Sequence, residues 1–466
     1  MDQGLQGERV IHLARILRPD HRLTQEDNGC FVLRNVHYEN VVYHLQPIVA
    51  LIFSLYDGLR SDEEIEEIAK YLFGAKKESE FNRFMDNFFL SYQRFLIPVE
   101  KAEKFFPKPW PSYAPEDYAI KQNSMIKDSG RLPAPQYLVL YLTNNCIRKC
   151  PYCYAKAKQK ETVEENSMDT DKVMRIIQEA FMLGIEGILL TGGEPLLRPD
   201  IYKIIDCAAS YHISVGLSTK GRINTDILQT IDFSLLNLSL SIDSHIPDVA
   251  NALAGSLTFY RDMLDNITNL KRINVPYSVT TVITKLNQGH IRDTIQYFID
   301  QGARNILLEH NVCSDKENKL FVCEDEKIAI DNYINELKNI PEFRGKLTHS
   351  AYDKGVVNVT KLKCSTGRSR LSIRYDGKYI FCEKLANADD IDLGSIFDKS
   401  VLDVWNSEEL LAYINPERDL YKETVCFNCV EVDHCTGKNS CIFQSKIQHG
   451  TYFRPIKEAE YACAQR

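Results

Sequence analysis

The middle of the chain contains six apolar segments of strand length, and a helical pattern separates each from the next. The segments are QYLVLYLT, EGILLT, ISVGLST, SLLNLSLSID, PYSVTTVIT and RNILLEH. Strands that alternate with helices predict a parallel sheet with right-handed crossovers. We therefore expect an α/β fold over residues 136–341, a partial (β/α)6 barrel with its functional groups at the carboxyl ends of the strands.

The regions on either side of this barrel have different patterns. At 466 residues, the chain exceeds the ~250 at which single domains commonly stop, so two or three domains are expected. Residues 1–105 show strands followed by helices, which predicts a small α+β domain. Residues 342–466 are rich in turns and contain seven of the fourteen cysteines, as in domains that inorganic clusters hold together. Residues 106–135 are a predicted linker because of Pro107, Pro109, Pro111, Pro115, Pro133 and Pro135.

Composition and charge exclude several classes of protein. No apolar run approaches the ~20 residues of a membrane span, and the first twenty residues lack the pattern of a secretory signal. We therefore expect a cytoplasmic protein that makes no membrane contact. A net charge of -8 argues against a nucleic-acid partner, since phosphates require a basic surface. Because cytoplasmic disulfides are rare, the clustered cysteines indicate metal or cluster ligands.

One cysteine cluster directly follows the first barrel strand. The segment CIRKCPYC places Cys146, Cys150 and Cys153 in a C-x3-C-x2-C spacing. Three thiolates can hold three irons of a 4Fe-4S cluster and leave the fourth iron open to another ligand. A zinc loop is the alternative, but zinc normally takes four ligands and this loop has no histidine.

The strand ends beside this loop contain further candidate residues. The second strand ends in TGGEP, with Gly192, Gly193 and Glu194, and the fourth ends in LSLSID, with Ser241 and Asp243. With them, the region 136–312 resembles the radical S-adenosylmethionine (SAM) superfamily, so the expected barrel is of the radical SAM type. The resemblance implies that Cys146, Cys150 and Cys153 hold the catalytic cluster, and that Lys220 replaces a basic residue absent from NALAGSL. Taken alone, GGEP is also compatible with a simple turn, and Ser241 with Asp243 with a capped strand end. The residues implied to bind SAM are Tyr152, Gly192, Gly193, Glu194, Thr219, Ser241 and Asp243.

The C-terminal cysteines resemble the SPASM domain, which holds two auxiliary clusters, although the last spacing of CFNCVEVDHCTGKNSC is x5 where x3 is more common. A zinc ribbon is the alternative. The resemblance implies three 4Fe-4S clusters in the whole protein. It assigns Cys364, Cys382 and Cys441 to an inner cluster, whose fourth position is either open or filled by Cys313 or Cys323. The outer cluster would take Cys426, Cys429, Cys435 and Cys463.

Residues 1–105 resemble the winged-helix-like domain with which maturases of ribosomally made peptides recognise a leader sequence. The resemblance rests on LQPIVALIFSLYDG and RSDEEIEEIAKYL, the second of which begins at a Ser61–Glu64 capping signal. Such domains bind the leader as an added strand. The implied partners are a precursor peptide with its leader and an external electron donor such as flavodoxin or ferredoxin.

The expected function is a radical SAM maturase that forms cysteine thioether crosslinks, as sactipeptide and ranthipeptide synthases do. Other radical modifications of a peptide stay open: a carbon–carbon crosslink, epimerisation, or formylglycine formation on a sulfatase. An alternative of another class is a zinc-stabilised scaffold that binds peptides without catalysis.

Overall fold

The structure, a computed structural model, describes residues 14–25, 31–37, 41–72, 78–118, 131–165, 167–311, 319–349, 364–388, 390–429 and 441–454. The chain divides into two compact units. One comprises Met1–Ala134 with Met182–Gly184, and the other comprises Pro135–Phe181 with Ile185–Arg466. Each unit is described separately below, and the finer domain boundaries expected from sequence stay predictions.

The first unit combines short strands with helices. Within its described residues, β2, β3 and β4 form an antiparallel sheet in that order, and β1 pairs with β5. Strands β2, β3 and β4 precede the helices, in the order that the sequence pattern predicts. The elements are β1 (Arg15–Leu17), β2 (His21–Gln25), β3 (Phe31–Asn35), β4 (Val42–Leu45), α1 (Pro47–Leu55), α2 (Asp62–Leu72), α3 (Glu78–Tyr92), β5 (Leu96–Pro98) and α4 (Val99–Phe105).

Two helices show how this sequence builds the first unit. Helix α1 is apolar on nearly all sides, and its residues from Val49 to Leu55 are buried, so it forms the centre of the unit. Helix α2 begins at the predicted capping box. The Ser61 amide donates to Glu64 Oε2 at 2.8 Å, and the Glu64 amide donates to Ser61 Oγ at 3.3 Å.

The second unit contains a large sheet. Its elements are β6 (Tyr137–Tyr141), β7 (Asn145–Cys146), β8 (Lys158–Gln159), α5 (Thr170–Met182), β9 (Gly187–Thr191), α6 (Ile201–Ser210), β10 (Ser214–Thr219), α7 (Thr225–Leu228), β11 (Leu236–Ser241), α8 (Pro247–Ala254), α9 (Phe259–Arg272), β12 (Tyr277–Ile283), α10 (Ile291–Asp300), β13 (Ile306–His310), α11 (Glu324–Asn339), β14 (Leu347–His349), β15 (Arg370–Arg374), β16 (Tyr379–Ile380), α12 (Val401–Trp405), α13 (Glu408–Ile414) and α14 (Ile442–His449).

The six predicted strands are present and parallel, which confirms the α/β fold. They are β6, β9, β10, β11, β12 and β13, paired in that order. Beyond the prediction, β14 extends the sheet next to β13 and β15 pairs in parallel with β6. Both lie in segments where the sequence shows no sustained periodicity. All the parallel strands end at one edge of the sheet, and this edge gathers the candidate residues.

Apolar strands and amphipathic helices account for the core of this unit. In β6, the residues from Leu138 to Tyr141 are fully buried, as expected for a parallel strand covered on both faces. Helix α9 buries Phe259, Met263 and Ile267, which lie one turn apart on one face of the helix. Across the part of the chain that the structure describes, no helix is long and apolar enough to cross a membrane.

Candidate active site

A cavity of about 460 Å³ opens at the carboxyl ends of the parallel strands. Its volume falls within the range of small-molecule sites, ~300–1,000 Å³. Cys146, Cys150 and Cys153 all line it, together with Gly192, Gly193 and Glu194 from the turn after β9. The ends of five neighbouring strands complete much of the wall with Thr191, Thr219, Ser241, Val282 and His310. The fold therefore brings the predicted cysteine loop and the GGEP turn to one site.

Glycine is required where the GGEP turn meets the cysteine loop. A Cβ atom at Gly192 would lie 2.3 Å from the Thr143 carbonyl oxygen, and one at Gly193 would lie 2.0 Å from the Asn145 carbonyl oxygen. The Glu194 amide donates to that same Asn145 oxygen at 2.9 Å. The two glycines thus let two backbone segments touch. Gly192 and Gly193 are implied by the resemblance to bind SAM, whereas the contact observed here is between the two segments of protein.

A second glycine contact and a buried arginine hold the other side of the loop. A Cβ atom at Gly255 would lie 2.3 Å from the Lys149 carbonyl oxygen, so the end of α8 packs directly on the loop backbone. Arg148 is 6% exposed and reaches the Ser256 hydroxyl at 2.8 Å and the Asp262 carboxylate at 3.0 Å. NALAGSL therefore supports the loop through Gly255 and the following Ser256.

Glu194 is buried and held by three donors. Its Oε1 accepts bonds from the Thr219 hydroxyl at 2.6 Å and the Leu196 amide at 3.0 Å, and its Oε2 accepts from the Lys220 amide at 3.0 Å. Burial raises the pKa of Glu194, and these hydrogen bonds oppose that shift. Because a carboxylate has about four lone-pair directions, Oε2 retains capacity for one further donor. An ammonium group is the donor that pairs best with such a carboxylate.

Asp243 connects two other candidate residues, Tyr152 and Lys220, with the backbone of β12. Its Oδ2 accepts from the Tyr152 hydroxyl at 2.5 Å and from Lys220 Nζ at 2.8 Å, while its Oδ1 accepts from the Val282 amide at 2.9 Å. Asp243 is fully buried. Ser241, by contrast, lines the cavity, and its hydroxyl lies 2.9 Å from that of Ser218. The geometry thus gives Asp243 a structural task, in addition to the SAM contact that the resemblance implies for it.

The three thiols of the loop are neighbours in a mainly buried setting. Burial raises the pKa of Cys146 to about 11 and that of Cys150 to about 12, and each is raised further by the charge of neighbouring cysteines. Without a metal these two thiols are therefore protonated at neutral pH. Since only thiolates bind iron, loading a cluster here releases protons.

The C-terminal cysteines are only partly described. Burial raises the pKa of Cys382, and the charge of the nearby Cys364 raises it further, whereas Cys441 is exposed at the start of α14. Cys426 and Cys429 are half-buried in one turn, whereas Cys435, Cys463 and Cys313 lie outside the described residues. Cys323 is exposed and caps α11. Among described side chains, no group of three or more Cys, His, Asp or Glu encloses a single metal-ion position.

Several cavity residues were not singled out from the sequence. Arg148 lies inside the cysteine motif, so its position was a signal that could have been used. Glu309, His310 and Asn311 end the sixth strand, where the barrel pattern predicts functional groups, but they match no motif. Lys384 reaches the cavity from the C-terminal segment. Burial raises the pKa of Glu309, and the nearby Lys384 ammonium opposes this.

A parallel barrel whose strand ends gather three thiols, a glycine turn and a buried glutamate fits an enzyme that binds an iron-sulfur cluster and a small cofactor. The sequence matches the Radical SAM superfamily over residues 140–298 and the SPASM iron-sulfur cluster-binding domain over residues 364–430. The chain thus contains a radical SAM domain and a SPASM domain, and these domains imply an enzyme that uses SAM and iron-sulfur clusters. The three thiols of the loop fit an iron-sulfur cluster. The Glu194 carboxylate, whose Oε2 can accept one further donor, fits the ammonium group of SAM.

Three known proteins illustrate the range of similarity. The GTP 3',8-cyclase of Sulfurimonas denitrificans is 28% identical over 211 residues, which span 44% of this chain and 64% of the cyclase. The match thus covers just under two thirds of that relative. The PqqA peptide cyclase of Ruegeria pomeroyi is 23% identical over 59% of this chain and 74% of its own. Streptococcus suis SuiB bound to precursor peptide SuiA shares the fold with 16% identity and a TM-score of 0.62, over 95% of this chain and 99% of SuiB.

Proposed function

We propose that this enzyme modifies a ribosomally made precursor peptide by forming a thioether bond between a cysteine sulfur and a carbon of an acceptor residue. The observation that carries the peptide assignment is the likeness of fold to SuiB bound to its precursor peptide, which extends over 95% of this chain and so includes most of the first unit. The name of the PqqA peptide cyclase adds a second peptide-modifying relative.

The first unit offers one edge of its small sheet to a leader peptide. At the β2 edge, the Leu23 amide and carbonyl are bonded to the hydroxyls of Tyr113 and Tyr118, each at 3.2 Å. At the β4 edge, the described residues show no strand beyond the pairing with β3. A leader added as a strand would therefore pair with β4, the edge at which the described residues show no further strand.

The residues of the second unit have distinct tasks in this proposal. Cys146, Cys150 and Cys153 hold the cluster that contacts SAM, and Glu194 holds the SAM ammonium group. Cys364, Cys382 and Cys441 hold the inner auxiliary cluster, and Cys426, Cys429, Cys435 and Cys463 hold the outer one. This gives three 4Fe-4S clusters, reduced from outside by a protein such as flavodoxin or ferredoxin.

The proposed reaction is an oxidation of the peptide. A thioether replaces one C–H and one S–H bond by a C–S bond, so the peptide loses one hydrogen atom, one proton and one electron. When bound, SAM and the clusters supply a 5'-deoxyadenosyl radical for the hydrogen atom and an acceptor for the electron. The carboxylate of Glu194 and the loop around the thiols fix the position of SAM, which such a reaction requires.

The test incubates the anaerobically reconstituted enzyme with any short cysteine-containing peptide that the neighbouring genes encode. We expect the peptide mass to fall by two hydrogen atoms, with one cysteine no longer alkylated by iodoacetamide. A carbon–carbon crosslink would give the same mass with the thiol still reactive, and epimerisation would leave the mass unchanged. Formylglycine would appear as loss of sulfur. A separate leader fragment should compete with modification, and failure to compete would contradict leader recognition.

A further inference from the structure

Arg368, which lies between Cys364 and β15, differs from the other buried arginines of the described residues. Those four each bond to an aspartate carboxylate, at 2.6–3.0 Å: Arg18, Arg148, Arg198 and Arg374. Arg368 is 6% exposed, and its Nη2 donates to the Ile414 carbonyl at 2.6 Å, but no carboxylate among the described residues pairs with it. A buried charge is costly unless it is paired, so Arg368 requires an anion.

The surroundings of Arg368 indicate which anion can reach it. Arg368 and Cys364 line one cavity of about 30 Å³, and most of the remaining wall is apolar or aromatic, including Phe381 and Tyr413. This volume holds roughly one or two water molecules, so a substrate carboxylate does not fit. Burial lowers the pKa of Arg368, and the charge of Cys364 opposes that shift. The sulfur of Cys364, once it is a thiolate, is therefore the anion that this cavity offers.

We propose that Arg368 donates to the thiolate of Cys364 when this cysteine binds the inner auxiliary cluster, and so raises the reduction potential of that cluster. This inference rests on the cluster ligands assigned in the proposed function. A positive charge and an N–H bond at a ligand sulfur favour the reduced, more negative form of a cluster. The proposed oxidation takes one electron from the peptide, and a cluster that is reduced more readily is a better acceptor for it. Arg368 thus acts on the electron acceptor and does not contact the peptide.

The test is a redox titration of the reconstituted full-length enzyme, followed by electron paramagnetic resonance. The signal that disappears in Cys364→Ser identifies the inner cluster, and the outer cluster serves as an internal reference. We expect Arg368→Met to retain the iron of the wild type and to lower the midpoint potential of the inner cluster by ~59 mV. That shift is a tenfold change in the equilibrium constant of a one-electron reduction. The potential of the outer cluster should not change.

A matched control is Arg370→Met, which removes the same charge two residues further along the chain and outside this cavity. The potential of the inner cluster should then stay at the wild-type value. Arg368→Gln is a second neutral variant that keeps a donor for the Ile414 carbonyl, and it is measured in case Arg368→Met does not retain the cluster. An unchanged potential in either neutral variant would overturn the proposal, because Arg368 would then only hold the end of α13.

Iron content distinguishes the remaining outcomes. Loss of iron from both neutral variants, with wild-type iron in Arg368→Lys, would support the pairing of a cation with Cys364. Loss of iron from all three variants, or an equal fall of potential in Arg370→Met, would overturn it. If Cys364→Ser keeps every cluster signal, the ligand assignment in the proposed function fails, and the role of Arg368 fails with it.

Discussion

The two cysteine-bearing regions of the second unit are built differently. The loop of Cys146, Cys150 and Cys153 is held from two sides by backbone contacts that only glycine permits, at Gly193 and Gly255. Among the C-terminal cysteines, by contrast, Cys364 and Cys441 are exposed, and Cys426 lies in a turn. The first region is shaped by the protein around it, whereas in the described part of the second Cys364 and Cys441 lie at the surface.

This difference matches the tasks proposed for the two cysteine-bearing regions. A cluster that contacts SAM needs one fixed geometry relative to the cofactor, and the contacts around Arg148 and Glu194 supply it. A domain rich in turns gains order when a cluster binds, because binding free energy then contributes to folding. We therefore expect small changes near the loop to affect catalysis strongly, and changes among the C-terminal cysteines to affect iron content first.

The largest effect is expected from removing the loop thiols. Replacing Cys146, Cys150 and Cys153 together by alanine should abolish formation of 5'-deoxyadenosine, because no ligands remain for the cluster beside Glu194. The measurement is chromatographic detection of the product under reducing, anaerobic conditions. The control is Cys207→Ala, a half-buried cysteine on α6, which should retain activity. Undiminished cleavage by the triple variant would refute the assignment.

A smaller effect is expected from adding one methyl group at Gly193. In Gly193→Ala, the new Cβ would lie 2.0 Å from the Asn145 carbonyl oxygen and so must push the turn from the cysteine loop. Such overpacking costs on the order of 1–3 kcal/mol. We expect SAM cleavage to fall by roughly ten- to a hundredfold.

Gly289→Ala is the control, because a Cβ there meets nothing within 4 Å. We expect it to cleave SAM at the wild-type rate. Equal activity in Gly193→Ala and Gly289→Ala would show that the contact between the turn and the loop is dispensable.

Much of the fold could be predicted from sequence because its signals are local. The six strands show continuous apolar runs, and the capping box at Ser61 and Glu64 is a spacing of three. Likewise, the C-x3-C-x2-C loop and GGEP follow strand ends, so the barrel pattern alone places them on one edge. Strands β14 and β15 were missed because their pairing depends on neighbours far away in the chain.

The contacts that organise the site could not be predicted in this way. Nothing in CIRKC shows that Arg148 reaches Asp262, more than a hundred residues later. Likewise, the sequence does not show that the side-chain amide of Asn311 is buried without a hydrogen-bond partner among the described residues. Motifs thus identified the chemical groups, whereas the contacts that position them depend on tertiary structure.

The smallest effect is expected from replacing Cys323. This variant distinguishes an inner cluster whose fourth position is open from one whose fourth ligand is Cys323. Cys323 caps α11: its side chain accepts from the backbone of the first turn, and its amide donates to Glu326 Oε2 at 3.0 Å. Serine is a preferred N-cap residue, so Cys323→Ser should preserve the helix. We expect iron and sulfide per protein to stay at the wild-type level, whereas Cys364→Ser should lose iron. If Cys323→Ser loses as much iron as Cys364→Ser, Cys323 completes the inner cluster and its fourth position is not open. The same measurement on Cys313→Ser tests the other candidate ligand.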